Sequence, residues 1–356
     1  MRRLNSTVLA DDPSLRRKSV TTVAGDPKGT RRLSIGFCAC VLALLLGTGC
    51  GDQTQAPMSP LASGYLSAIL DHMQQTSVHR AQIDWTDFRA QVRNRAQGAQ
   101  TILDLYPAIS LGLGLLDDHH SFYADVSGTA LVGNPRPKDC SAPPLEIPAI
   151  PPDIGYVHVS GFWSYVPGAA QTFADGLEAQ IKAQDSPDLA GWIVDLRGNT
   201  GGLLVVMLAG IGSILGDGVA GYLVDPVSGS STRWGYAGGQ VFWGDYASMR
   251  TSAPYTLIRR NPKVAVLTDR GTVSSGEGTT VSFRARPKAR SFGGATCGLS
   301  SLLDGFVLSD SAVLYVESGL QADRTGTTYG GGAITPDELV DGELEVVERA
   351  IAWLRQ

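Results

Sequence analysis

Val264-Ala-Val-Leu-Thr-Asp269, followed after Arg270 and Gly271 by Thr272-Val-Ser-Ser-Gly-Glu277, decides how this chain is read. The first run is short, apolar and bounded by turn residues, the pattern of a buried strand. The second is a turn of small residues that opens a helix. Val194-Asp-Leu-Arg-Gly-Asn-Thr-Gly-Gly202 repeats that form upstream. The first turn of a helix leaves its amides unpaired and carries a partial positive charge. Such turns therefore set a hydroxyl beside free N–H donors, the combination that nucleophilic acyl transfer uses. Each turn also has an ordinary reading: Gly201-Gly202 as a plain strand-to-helix turn, and Ser274 or Ser275 as a helix cap.

Working outward, strand and helix patterns alternate from Ile154 onward. Strands are expected at Ile154 to Phe162, Gly191 to Leu196, Gly221 to Asp225, Lys263 to Thr268, Arg290 to Phe292 and Ala312 to Ser318. Helices are expected at Gly168 to Gln184, Leu203 to Leu215, Glu277 to Arg284 and Glu343 to Leu354. That alternation predicts an α/β core with a mostly parallel sheet over residues 154–356. The aromatics from Trp234 to Trp243 fit either a peptide groove or the core of a hairpin.

Before this core, residues 134–153 hold seven prolines and read as an extended crossing segment. Residues 64–133 read as an N-terminal helical subdomain. Asp84-Trp-Thr-Asp87 is a helix start, and Ile102, Leu105, Ile109, Leu113 and Leu116 recur at helical spacing.

At the N-terminus, Arg31-Arg32 precede the apolar stretch Ile35 to Leu46, and Gly47-Thr-Gly-Cys50 follows. This is the form of a signal segment over residues 1–50, too short to span a membrane comfortably. The small residues before Cys50 resemble a bacterial lipoprotein cleavage site, which would make Cys50 the lipidated N-terminus. Leu46 lies one place further from Cys50 than that pattern wants, so a plain signal peptide or an uncleaved anchor is the alternative. Residues 51–63 then read as a tether. The expected setting is an exported bacterial protein, periplasmic or on the cell surface, held to the membrane by its lipid.

A chain of 356 residues with 43% hydrophobic and 18% charged content has enough apolar material for real cores. Its net charge of −5 supplies no basic stripe, so nucleic acid is not an expected partner. Beyond Cys38, Cys40 and Cys50 only Cys140 and Cys297 remain. In an oxidising compartment they could pair, or they stand as separate thiols. No Cys and His cluster has zinc spacing, and neither metal nor organic cofactor is expected.

The turn motifs, taken with Gly191-Trp-Ile-Val194, Asp118-His-His-Ser121, Ile154-Gly-Tyr-Val157, Arg290-Ser-Phe-Gly-Gly-Ala-Thr-Cys-Gly298 and Ile334-Thr-Pro-Asp337, resemble the S41 serine peptidase family. The likeness runs through most of residues 80–355, with several motifs in order. It implies a crotonase-type β/α core and an exported serine endopeptidase acting on peptide or protein substrates. Carried over by motif, the nucleophile falls on Ser274, and the oxyanion hole on Ser275 with a glycine amide from Gly201 or Gly202. Asp195 and Arg197 are expected to hold their turn in shape.

The base departs from the best-known branch, in which a lysine serves in a Gly-Lys-Gly turn. Here that turn reads Cys297-Gly-Leu299, and leucine accepts no proton. Of the five histidines, His120 matches the motif from which other branches of the family draw an imidazole, whose ordinary pKa suits proton transfer near neutrality. The ordinary reading of His120 is a helix cap, and His119 is its neighbour in register. Glu277 and Asp118 are the candidates for an orienting acid, though a Ser-His dyad could suffice. Between Tyr123 and Ile154 there are about 30 residues, too few for the PDZ module found in many family members. The rival reading keeps the fold as a non-catalytic ligand- or peptide-binding protein.

Overall fold

In the computed structural model, which describes residues 57–126, 130–132, 138–164 and 166–356, the chain opens with three helices. These are α1 (Pro60–Thr76), α2 (Trp85–Arg95) and α3 (Tyr106–Leu116). Ser59 Oγ accepts the Ala62 N–H at 3.1 Å and Asp84 Oδ1 accepts the Thr86 N–H at 2.9 Å, so both starts are capped by side chains. The last residues of the stretch read as a tether are thus helical. The leader with Cys50, residues 51–56, and residues 134–137 of the proline-rich crossing lie outside the described residues.

The strands and remaining helices follow in order: β1 (Phe122–Ala124), β2 (Ala130–Val132), β3 (Ile154–His158), α4 (Ala169–Gln184), β4 (Gly191–Asp195), α5 (Leu204–Gly210) and α6 (Gly212–Leu215). Next come β5 (Gly218–Val224), β6 (Ser231–Ala237), β7 (Gln240–Trp243), β8 (Tyr246–Arg250), β9 (Val264–Thr268) and α7 (Ser275–Phe283). The chain ends with β10 (Ala289–Gly293), β11 (Ser301–Val307), β12 (Val313–Asp323), β13 (Glu338–Leu339) and α8 (Glu343–Leu354).

Two sheets result. One is five-stranded in the order β13-β10-β9-β4-β3, parallel at every pairing. Every residue of β4 and β9 is buried, because helices cover both faces of a parallel sheet. Val346, Val347 and Ala350 of α8 pack on Ile193 and Leu267 on one face. Leu177 of α4, Met207 of α5 and Val281 of α7 join Val194 and Val266 on the other. The second sheet is antiparallel, in the order β2-β1-β12-β5-β6-β7-β8 with β11 also on β12. Helices α1 to α3 close their apolar faces over Leu314 and Val316 of β12. Helix α7 contacts β9 of one sheet and β5 and β12 of the other, and all nine of its residues are buried.

The protein is therefore mixed α/β, and the alternation of strands and helices had pointed to less antiparallel structure than it contains. Of the eight strands of the larger sheet, β5 and β12 were expected, β6 and β7 answer to the hairpin reading of Trp234 to Trp243, and β1, β2, β8 and β11 were not expected, β1 and β2 lying in the stretch read as helical. β6 to β8 are joined by short glycine-bearing turns at Gly238-Gly239 and Gly244, a hairpin signal that leaves no trace in helix alternation. Trp234 and Trp243 face each other across β6 and β7 with parallel rings 5.6 Å apart, and Trp234 is buried as a hairpin core residue. The helix expected over Leu203 to Leu215 is broken at Ile211 into α5 and α6.

Candidate active site

The chain leaves β9 at Thr268 and turns into α7 through Ser274, whose φ of 54° and ψ of −113° lie outside the usual regions for a residue with a side chain. Such a conformation costs about 1–3 kcal/mol and persists only where its surroundings hold it. Glu277 does the holding. Its Oε2 accepts the N–H of Ser274 at 2.9 Å and of Leu299 at 2.8 Å, while Oε1 accepts the Gly298 N–H at 2.8 Å and the Thr296 hydroxyl at 2.5 Å. Burial raises the Glu277 pKa, and these four donors oppose the rise. Both carboxylate oxygens are spent on the turn, so Glu277 is not aimed at an imidazole.

Upstream, Asp117 and His119 both take positive φ, 57° and 61°, and fold the chain after α3 back on itself. Asp118 fixes the turn: Oδ1 accepts the N–H of His120 at 3.0 Å and of Ser121 at 2.9 Å, and Oδ2 accepts the Ser121 hydroxyl at 2.5 Å. Asp118 thus shapes the backbone and leaves the ring to others. The His120 ring lies between two hydroxyls, with Nε2 3.1 Å from Ser274 Oγ and Nδ1 2.7 Å from Ser301 Oγ. His120, and not His119, faces Ser274. His158 and His79 sit elsewhere, against the backbone carbonyls of Arg197 and Leu116.

Burial first, and the Lys138 ammonium second, push the His120 pKa down to about 4, so its imidazole is neutral at pH 7. Lys138 Nζ donates to the carbonyls of Gly298 and Gly331. Beyond Ser301 stands Glu317 on β12, 4% exposed, pushed up to about 8 by burial and then by the nearby Asp118 charge, with Ser301 opposing the rise. Sequence reasoning missed Ser301, Glu317 and Lys138. Ser301 begins a strand that no pattern announced, and an acid within the expected strand at Ala312 to Ser318 was the only available hint of Glu317.

The glycine turn is pinned from the side. Asn199 Oδ1 accepts the Gly201 N–H at 2.9 Å and its Nδ2 donates to the Val159 carbonyl at 2.8 Å. The Gly201 amide is thereby occupied, which removes it from the expected oxyanion donors. Gly202 has a φ of 118°, and a Cβ there would overlap the Phe162 carbonyl oxygen, so no other residue fits. Its own carbonyl accepts the Ser275 hydroxyl at 2.6 Å. Among the described residues nothing accepts from the N–H of Gly202 or Ser275. Two free amides therefore belong to residues that line the same cleft as Ser274. Asp195 and Arg197 are buried and paired at 2.6 Å, and Arg197 also reaches Glu343 at 2.8 Å, tying the end of β4 to the start of α8.

Ser274, His120, Gly202 and Ser275 open into one cleft of about 850 Å³. A disulfide joins Cys140 to Cys297, Cα atoms 5.2 Å apart, immediately before the Gly298 and Leu299 amides that bind Glu277. Among the described residues no group of three or more His, Cys, Asp or Glu could hold a metal ion, and no helix is long and apolar enough to cross a membrane.

Comparison with known proteins bears on the whole arrangement. The model of Peptidase family S41 matches residues 153–340, more than half of the chain. The nisin-resistance protein of Lactococcus lactis subsp. lactis is 25% identical over 325 residues, covering 90% of this chain and 95% of that one. A lipoprotein structure from Streptococcus agalactiae superposes with a TM-score of 0.66 at 20% identity, covering 83% of this chain and 96% of that one. A candidate peptidase from Parabacteroides merdae superposes at 0.53 with 18% identity, covering 82% and 96%.

Proposed function

The chain belongs to peptidase family S41, and from that premise we propose that it is an exported serine endopeptidase working through a Ser274–His120 dyad. The observation that carries this reading is the 3.1 Å approach of His120 Nε2 to Ser274 Oγ at the mouth of a cleft. Ser274 Oγ attacks a peptide carbonyl, forming the Oγ–C bond as its proton passes to His120 Nε2. The carbonyl oxygen takes up the negative charge between the Gly202 and Ser275 amides. His120 then gives the proton to the departing amine as the C–N bond breaks, and water releases the acyl group by the same steps in reverse.

The five-stranded parallel sheet supports a crotonase-type core. The leader ending at Cys50 supports export and lipid anchoring, consistent with the lipoprotein neighbour. The relative named for nisin resistance makes nisin the first substrate to assay. Leu299, standing where other members carry a lysine, favours the binding-protein alternative. A fluorophosphonate probe separates the two: wild-type protein is expected to be labelled and the Ser274→Ala variant not. An unlabelled wild type, or equal labelling of both, sinks the serine assignment.

A further inference from the structure

The walls of the cleft carry information that the dyad does not use. Apart from His120, no acidic or basic side chain lines it among the described residues. Three of its rings form a continuous surface contributed by three separate segments. Phe122 of β1 stacks on Tyr315 of β12 with centroids 4.6 Å apart, and Trp163 meets Tyr315 edge-on at 5.8 Å. Phe122 and Tyr315 are direct cross-strand partners, so the sheet itself fixes that pair. Trp163 follows Phe162, whose N–H and carbonyl bond to Gly201 and Leu203, so this ring is tied to the same backbone as the Gly202 amide. The platform is thus joined to the proposed base, two residues from Phe122, and through Phe162 to the backbone of the Gly202 turn. Leu302, Leu303 and Trp243 continue the apolar lining.

A charged side chain entering this cleft would lose its water and meet no opposite charge, whereas an aromatic or large aliphatic one would gain contact on several rings. Resting on the peptidase reading above, we infer that the Phe122, Tyr315 and Trp163 rings select peptides with an uncharged aromatic or large aliphatic side chain beside the scissile bond. Trp163 keeps 48% of its surface exposed, so it is available to a ligand and its removal leaves the core intact.

The test uses full-length Ser274→Ala protein, which binds without cleaving, and short capped peptides that differ only in a central Phe, Leu, Asp or Lys. Phe and Leu peptides are expected to bind at least about tenfold more tightly than Asp or Lys peptides. Adding Trp163→Ala is expected to remove most of that advantage, and adding Trp163→Lys to shift preference toward Asp. Equal affinities for all four peptides, or unchanged discrimination in both Trp163 variants, overturn the inference. Fluorophosphonate labelling of the wild type reads the dyad separately. Labelling without discrimination refutes the platform alone, and discrimination without labelling refutes the peptidase reading alone.

Discussion

The hydroxyl of Ser301 lies 2.7 Å from Nδ1 of His120, on the side of the ring turned away from Ser274. For Nε2 to take the nucleophile's proton, Nδ1 must carry the ring's own hydrogen, and Ser301 Oγ is placed to accept it. Glu317 of β12 stands close enough behind Ser301 for the hydroxyl to lower its pKa. In the proposed dyad the orientation of His120 therefore falls to a hydroxyl where an acid was sought.

Replacing Ser301 by Ala removes that acceptor and frees the ring to turn over. A hydrogen bond of this kind contributes about 1 kcal/mol, so kcat is expected to fall roughly five- to tenfold with KM little changed. Ser301→Thr, which keeps the hydroxyl, is expected to restore most of the rate. Steady-state kinetics on one peptide decide it, and an unchanged kcat in Ser301→Ala rejects the orienting role.

The pH profile tests the burial of the base. As the proposed base, His120 acts when neutral, and its pKa is pushed down to about 4, so activity is expected to be lost as pH falls through that value. The acid limb of kcat/KM is expected well below the 6.5 of an ordinary histidine. A limb at 6.5 or above contradicts a desolvated His120.

Glu317 gives a stability signal of opposite sense. Its folded pKa, about 8, exceeds its ordinary value of 4.5, so its contribution is full below pH 4.5 and is lost as pH rises through 8. Glu317→Gln cannot ionise. Its melting temperature is expected to fall less than that of the wild type between pH 5 and 9, and parallel curves for the two proteins count against the assignment.

Gly202 allows the most severe substitution. Alanine there collides with backbone, the Phe162 carbonyl, which cannot rotate aside. Gly202→Ala is expected to lose fluorophosphonate labelling, because displacing the Gly202 amide withdraws an oxyanion donor, an effect of roughly a hundredfold or more in kcat. Labelling at the wild-type rate argues that this amide is not a donor.

Which parts could be read from the chain follows from how locally each is encoded. β4 and β9 are buried throughout, apolar up to Asp195 and Thr268 at their ends, and lead into small-residue turns, so the parallel sheet was legible from short windows. β11 runs from the buried Ser301 through half-buried and exposed positions with no period of two, and its place beside β12 is fixed by pairing alone. The site divides the same way. Ser274 and Gly202 each sit within one motif, but the approach of His120 to Ser274 spans 154 positions, and that of Ser301 to His120 spans 181. Glu277 was picked out by its motif, and its partners reveal a different task, because its reach to Thr296, Gly298 and Leu299 depends on where β10 delivers the following loop.

Helix α7, enclosed between the two sheets along its full length, also determines how the site breathes. Past the free N–H of Ser275 at its first residue, backbone amides so enclosed exchange with solvent hydrogen only when large parts of the molecule open. Ser274, the proposed nucleophile, is consequently mounted at the start of a slow-exchanging helix, while the half-exposed Trp163 of the proposed platform lies at the surface. On the proposed reading, differences in which substrate enters are expected to arise at the exposed Trp163 and not at Ser274.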